Sequence, residues 1–195
     1  KTKEQLDKLQ HTSTFFLTRP LLDLSEKLAE ISPAGLERSF FVNSGSEAVD
    51  SAILLARKYT GNEAVIPVKL GYHGRTLLGS SCTTSSSYEG LDPSIDDLGI
   101  QFGYNGYCYR CQFGLEYPDC ELRCAYALEE AIEKTTSKKI AAILVEPIQG
   151  VGGVIVHPPG YLEALETIAH KYGGLLIVDE VQSGFGRTGK MFATS

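Results

Sequence analysis

The sequence predicts an α/β protein with a three-layer α/β/α arrangement around a mostly parallel sheet. Short apolar runs alternate along the chain with longer segments in which apolar residues recur at helical spacing. Strands that alternate with helices in this way form a largely parallel sheet covered by the helices. Chemically distinctive residues follow several of the apolar runs, where parallel sheets carry their ligand sites.

The first elements are predicted from apolar spacing and from stop signals. Arg19 to Ile31 carries leucines at helical spacing and is followed by Ser, Pro, Ala and Gly, which end a helix. Ser39 to Val42 is predicted to be a buried strand, and the helix after it spans Ser44 to Tyr59. Glu63 to Val68 is a second strand candidate.

The later elements follow a region with little expected order. From about Ser80 to Pro118 the chain is rich in Ser, Gly, Tyr and Cys, which predicts loops. The elements expected after it are helix Glu121 to Lys134, strand Ile140 to Val145, helix Tyr161 to Tyr172 and strand Leu175 to Val178. We therefore expect an amino-terminal helical segment over residues 1–38 and a larger α/β domain over residues 39–195.

Composition and charge exclude several classes of partner. The chain has 195 residues, 43% of them hydrophobic, which is enough for a sizeable core. A net charge of −6 without a basic tract argues against nucleic acid. Apolar runs such as Ala141 to Val145 are too short to span a bilayer, and the charged amino terminus lacks an apolar signal core. A cytoplasmic protein without membrane contact is expected.

Asp179 is the most informative residue, because it follows an apolar run and precedes a Gly-rich stretch. That stretch partly matches two nucleotide signatures. Gly184 to Lys190 fits the phosphate-loop pattern, but Met191 replaces its metal-binding Ser or Thr. The first glycine of a dinucleotide fingerprint follows its strand in a tight turn, whereas five residues intervene here. Both nucleotide interpretations are therefore disfavoured.

Three other turns carry candidate chemistry. The turn from Ser44 to Glu47 predicts either an anion site at a helix start or an ordinary capping box, and the two are compatible. In the segment from Gly71 to Thr76, Tyr72 could lie over a planar ligand and Arg75 could hold a carboxylate. Glu146 stands at the end of another predicted strand. Each feature alone has an ordinary structural explanation, but their recurrence at strand ends favours a site.

Together these motifs resemble one family, the class III aminotransferases, which are pyridoxal-phosphate enzymes of fold type I. The motifs that carry the resemblance are Asn43–Ala48, Tyr72–Thr76, Glu146–Gly150 and Asp179–Gly189, and it extends from about Leu17 to Ala193. It implies pyridoxal 5'-phosphate as cofactor, an amino acid or ω-amino acid as donor, a 2-oxo acid or aldehyde as acceptor, and a homodimer. A cofactor-dependent aminomutase or decarboxylase of the same family is an alternative.

The resemblance implies which residues hold the cofactor. Gly45 and Ser46 correspond to residues that bind its phosphate. Tyr72 corresponds to the residue that stacks on one face of the ring, and Val181 to the residue that packs on the other. Gln182 corresponds to the residue that reaches the phenolic oxygen.

The catalytic assignments by resemblance are Asp179, which pairs with the ring nitrogen, and Glu146, which supports the site. The cofactor acts as an electron sink when its ring nitrogen is protonated, and a buried carboxylate stabilises that charge. Arg75 is the candidate for the substrate carboxylate.

The resemblance also predicts that the chain is an internal fragment, holding part of the cofactor-binding large domain. In this family the Schiff-base lysine follows the aspartate by about thirty residues, so Lys190, eleven positions on, does not correspond to it. The carboxyl-terminal domain is absent by the same comparison. We expect the chain alone to be unable to transaminate.

Two departures from the family pattern remain. Val151 replaces a glutamate that pairs with a substrate-dependent arginine in many members. An insertion over about residues 104–124 contains Cys108, Cys111, Cys120 and Cys124, which could bind zinc or an iron–sulfur cluster. The favoured interpretation is that they are four reduced thiols without metal. A non-enzymatic metal-binding or interaction module built on this insertion is the third functional hypothesis.

Overall fold

A computed structural model describes residues 1–13, 15–84, 98–135 and 137–194 and divides the chain into two compact units. The smaller unit, Lys1–Phe40, contains α1 (Thr2–Leu6) and α2 (Arg19–Ile31). The predicted bounds of α2 are confirmed. Its first turn contains a proline, which suits the start of a helix because the missing amide hydrogen would have no partner there.

The larger unit, Phe41–Ser195, carries the α/β domain. In chain order its elements are α3 (Gly45–Thr60), β1 (Val65–Pro67), α4 (Leu77–Ser81), a 3-10 helix (Cys108–Arg110), α5 (Arg123–Thr135), β2 (Ala142–Val145), β3 (Ile148–Gln149), β4 (Ile155–Val156), α6 (Tyr161–Lys171) and β5 (Leu175–Val178). Strands β1, β2 and β5 form a parallel sheet in that order, and β3 pairs antiparallel with β4.

Strand β2 lies at the centre of the three-stranded sheet, and all four of its side chains are buried. Ile143 and Val145 pack into one apolar cluster with α5 and α6. Ala142 and Leu144 point the other way, into a second cluster with α3. The alternation of side chains along a strand thus places helices on both faces. The predicted three-layer α/β/α fold is confirmed.

Several predicted elements differ from the structure. Ser39 to Val42 was expected to be a buried strand, but no strand forms there, and Phe40 is 73% exposed. Consecutive apolar residues mimic a buried strand, yet within the described residues no strand pairs with this segment. Helix α5 begins at Arg123 because Glu121 and Leu122 have φ values of 48° and 57°, which a right-handed helix cannot contain.

The region from about Ser80 to Pro118 contains little regular structure where it is described, as expected. It holds the last residues of α4, the 3-10 helix and two isolated parallel bridges to the β1 edge. Residues 85–97 of this region lie outside the described residues. None of the helices in the described ranges combines the length and apolar character needed to cross a bilayer.

Candidate functional site

An open cleft of about 550 Å³ lies at the carboxyl edge of the parallel sheet. Its walls are formed by residues that follow the three strands, namely Tyr72, Glu146, Val151, Asp179, Val181, Gln182 and Arg187. Glu146 comes directly after β2 and Asp179 directly after β5. Because parallel strands end at one edge, side chains far apart in sequence meet there. Five predicted site residues therefore share one cleft.

Asp179 is held through both of its carboxylate oxygens. Its Oδ2 lies 2.8 Å from Nδ1 of His73, and its Oδ1 accepts a hydrogen bond of 3.0 Å from the amide of Val181. The side chains of Asp179 and His73 are 5% and 0% exposed, so little water screens the interaction between them. The sequence did not predict the contact between His73 and Asp179, because the two residues are 106 positions apart.

The geometry around His73 favours a hydrogen on Nδ1. The carboxylate of Asp179 needs a donor at Nδ1. Nε2 is buried and has no hydrogen-bond partner in the described part of the chain. A side chain at Gly71 would bring its Cβ within 2.7 Å of Nε2, so the glycine makes room for the imidazole ring.

Glu146 joins two loops at the cleft. Its carboxylate accepts hydrogen bonds from the amide of Tyr72 at 2.8 Å and from the amide of Gly150 at 3.0 Å. Burial raises the pKa of Glu146, and these two amides oppose that rise because they stabilise the charged form. The side chain thus ties the Tyr72 loop to the Gly150 loop.

Helix α3 begins with the predicted capping box. Ser44 Oγ accepts from the amide of Glu47 at 3.2 Å, and Glu47 Oε2 accepts from the amide of Asn43 at 2.7 Å. The first-turn amides of Gly45 and Ser46 point out of the helix end. A Cβ at Gly45 would lie 2.9 Å from Cγ2 of Val181, so this helix end lies directly against the cleft wall.

The loop that follows β1 packs on the same helix end. Ser46 Oγ accepts a hydrogen bond of 3.1 Å from the amide of Arg75, and Thr76 Oγ1 donates to Asp50 at 2.8 Å. A side chain at Gly74 would overlap Ser46. Gly45, Ser46 and Arg75 are not among the residues that line the cleft itself.

Arg187 lines the cleft although sequence reasoning did not select it. It belongs to the Gly-rich stretch, whose described residues form turns rather than the helix that a nucleotide signature requires. The carboxylate of Glu180 folds this stretch back by accepting from the amides of Ala193 at 2.8 Å and Thr194 at 3.1 Å. The only available signal was an arginine in a loop close to a strand end.

Four cysteines line a second, much smaller cavity of about 20 Å³. They are Cys108, Cys111, Cys120 and Cys124, and each carries a free thiol. Burial, and then the neighbouring Cys120 and Cys111, raise the pKa of Cys108. Burial raises the pKa of Cys124 to about 11, and Cys108 and Cys120 contribute. Among the described residues, no group of three or more His, Cys, Asp or Glu side chains is placed to hold a metal ion.

Comparison with known proteins identifies similar chains along nearly the whole sequence. The profile of the family described as aminotransferase class-III matches residues 2–195. Acetylornithine aminotransferase of Methanopyrus kandleri is 38% identical over 192 residues, which cover 98% of this chain and 43% of that protein. Leucine/methionine racemase of Thermococcus litoralis is 40% identical over 199 residues, with coverage of 98% and 43%.

A solved structure extends the similarity to the fold. Taurine:2-oxoglutarate aminotransferase from Bifidobacterium kashiwanohense, in complex with PLP and glutamate, superposes with a TM-score of 0.85 at 32% identity. The aligned part covers 98% of this chain and 44% of that one. The chain therefore spans less than half the length of the proteins that it matches.

Proposed function

From the premise that this chain belongs to the class III aminotransferase family, we propose that it forms the cofactor-binding part of a pyridoxal-phosphate-dependent aminotransferase. The reaction transfers an amino group from an amino acid or ω-amino acid to a 2-oxo acid or aldehyde. The observation that carries the proposal is the buried Asp179 carboxylate, which lines the cleft and is held by His73 and by the Val181 amide.

The residues around the cleft fit pyridoxal phosphate. Asp179 offers a carboxylate that matches a protonated ring nitrogen. Tyr72 and Val181 both line the cleft and supply an aromatic and an aliphatic surface for a planar ring. The amides and the positive end of α3, at Gly45 and Ser46, suit a phosphate, and Gly45 lies against Val181. Gln182 lines the same wall and can donate to the phenolic oxygen.

The bound cofactor would supply an electron sink for the substrate carbanion. This chain would contribute by holding charge and orientation. Asp179 would stabilise a proton on the ring nitrogen, and His73 fixes the direction of the Asp179 carboxylate. Glu146 positions the backbone of Tyr72. Arg187, which lines the cleft, replaces Arg75 as the first candidate for the substrate carboxylate.

The substitution Asp179→Asn in the full-length protein tests the proposal. An amide cannot stabilise the ring proton, so we expect transamination to fall by about 100-fold or more. Cofactor binding should remain largely intact, because the phosphate and ring contacts are unchanged. Stopped-flow turnover and a fluorescence titration with pyridoxal phosphate measure the two quantities. Near-normal turnover in the variant would refute the role of Asp179.

Racemisation is a second candidate, because the Thermococcus litoralis relative is a leucine/methionine racemase. Racemisation converts one amino acid enantiomer into the other, whereas transamination moves the amino group to an acceptor, so their products differ. The full-length protein is therefore incubated with one amino acid enantiomer, with and without a 2-oxo acid. Amino transfer that requires the 2-oxo acid supports transamination. Loss of optical activity without an acceptor would identify a racemase instead.

We also propose that the full-length protein is a homodimer and that it is located in the cytoplasm. Five free cysteines without a disulfide are typical of a protein from a reducing compartment. Light scattering of the full-length protein and fractionation of the source cells check the two statements. A monodisperse monomer would contradict the first, and recovery in the membrane or secreted fraction would contradict the second.

A further inference from the structure

We propose that Cys108, Cys111, Cys120 and Cys124 bind one Zn²⁺ ion, at a structural site separate from the cofactor cleft. The four thiols line one cavity although they come from two ends of an insertion. The cavity of about 20 Å³ has room for roughly one water-sized sphere. A single ion between four sulfur ligands is the arrangement that zinc adopts in structural sites.

The backbone presents the cysteines as two close pairs. Cys108 and Cys111 are the first residue of the 3-10 helix and the residue directly after it. Cys120 and Cys124 flank a tight turn in which Glu121 and Leu122 have positive φ values of 48° and 57°. Positive φ is costly for residues other than glycine and persists only where the surroundings impose it. Coordination of the two flanking thiols would stabilise this turn.

Ion binding requires the thiols to rearrange. No three of them are yet arranged around a common point, so coordination would draw the sulfur atoms inward to about 2.3 Å from the metal. Each coordinating thiol loses its proton to solvent as its sulfur binds. Zinc is not oxidised or reduced, so the step needs no further reactant. Proton release is therefore a direct measure of how many thiols bind.

A chain of hydrogen-bonded side-chain amides links this insertion to the edge of the cofactor cleft. Gln112, beside Cys111, donates to Asn105 Oδ1 at 2.8 Å. Asn105 donates to Gln149 Oε1 at 3.1 Å, and Gln149 donates to the carbonyl of Lys69 at 2.8 Å. Gln149 belongs to the same strand-end motif as Glu146. A bound zinc ion would therefore fix the position of the insertion relative to the motif that contains Glu146 and Gln149.

Metal analysis of the full-length protein tests the proposal without reference to transamination. After growth with zinc and dialysis into metal-free buffer, we expect about one zinc ion per chain. Titration of the chelator-stripped protein with Zn²⁺ alone should restore that stoichiometry and release protons. Replacement with Co²⁺ should produce thiolate-to-cobalt charge-transfer absorption. A protein that binds no zinc under these conditions would overturn the proposal.

Cys111→Ser and Cys120→Ser are expected to lose stoichiometric zinc. Cys82→Ala is the matched control, because Cys82 is buried in the other apolar cluster and should leave the zinc content unchanged. If the serine variants fail to fold, alkylation of the unmodified protein decides the matter. Zinc should protect four thiols that become reactive after chelation. Equal reactivity in both states, disulfides between these cysteines, or an iron–sulfur chromophore would each contradict a zinc site.

Discussion

At the scale of single residues, Asp179 depends on neighbours that fix its two oxygens separately. His73 meets Oδ2, and the Val181 amide meets Oδ1. A carboxylate that is buried and held in this way loses little freedom when it meets a cationic partner, which strengthens the pairing. The histidine therefore acts through the aspartate as a positioning residue.

His73→Ala should slow transamination in the full-length protein. Hydrogen bonds to charged groups contribute about 1.5–3 kcal/mol, so the loss is expected to lower the transamination rate by about 10-fold or more. The absorption spectrum of the bound cofactor should shift, because ring protonation is less well supported. His73→Asn, which retains a donor near Asp179, should recover part of both effects.

A control variant separates this effect from a general loss of histidine. His170 is exposed, so His170→Ala should leave the transamination rate and the spectrum unchanged. An unaltered rate and spectrum in His73→Ala would show that the contact with Asp179 has no functional role.

At the scale of elements, the start of α3 and the loop after β5 form one surface. Gly45 has space for no side chain, because a Cβ would lie 2.9 Å from Val181. The capping box fixes the helix start, and the sheet fixes the strand end that carries Val181. The proposed phosphate site and the proposed ring site are therefore held in register by this contact.

Gly45→Ala is expected to push the helix end away from Val181 and to weaken binding of pyridoxal phosphate by about 10-fold, within the 1–3 kcal/mol typical of overpacking. Val181→Ala removes the methyl groups that the new Cβ meets. The double variant should therefore bind the cofactor more tightly than Gly45→Ala alone. Titration of the four proteins forms a double-mutant cycle. Additive effects would contradict the steric explanation.

At the scale of the whole molecule, His157 joins the segment after β1 to the end of β2. Its Nδ1 accepts from the amide of Gly106 at 3.3 Å, and its Nε2 donates to the carbonyl of Glu146 at 3.2 Å. Burial lowers the pKa of His157 to about 4, and these contacts use its neutral form. The ring also stacks on Tyr161, which anchors α6 in the core.

Stability of the full-length protein should therefore decrease as the pH falls from about 6.5 towards 4. In that window the unfolded chain binds a proton at His157 and the folded chain does not, so protonation favours unfolding. At pH 4, this effect lowers the free energy of unfolding by roughly 3 kcal/mol. Urea unfolding at pH 7 and pH 5 measures it. His157→Gln should show a smaller difference between the two pH values, and an identical difference would refute the assignment.

Much of the fold was predictable because local patterns carry it. Arg19 to Ile31 has an uninterrupted helical period and a proline near its start, and its bounds agree with the structure. The prediction of a strand from Ser39 to Val42 was wrong, because apolar residues alone do not reveal whether a partner strand exists. The hairpin of β3 and β4 was missed because two-residue strands carry no periodicity.

The sequence by itself determined the α/β order, the capped start of α3 and the acids at the strand ends, because each depends on neighbouring residues. Only the tertiary structure decided that His73 holds Asp179, that Gly45 lies against Val181, and that four cysteines line one cavity. These contacts join distant segments. Their formation depends on how the sheet and its covering helices pack, which no local pattern records.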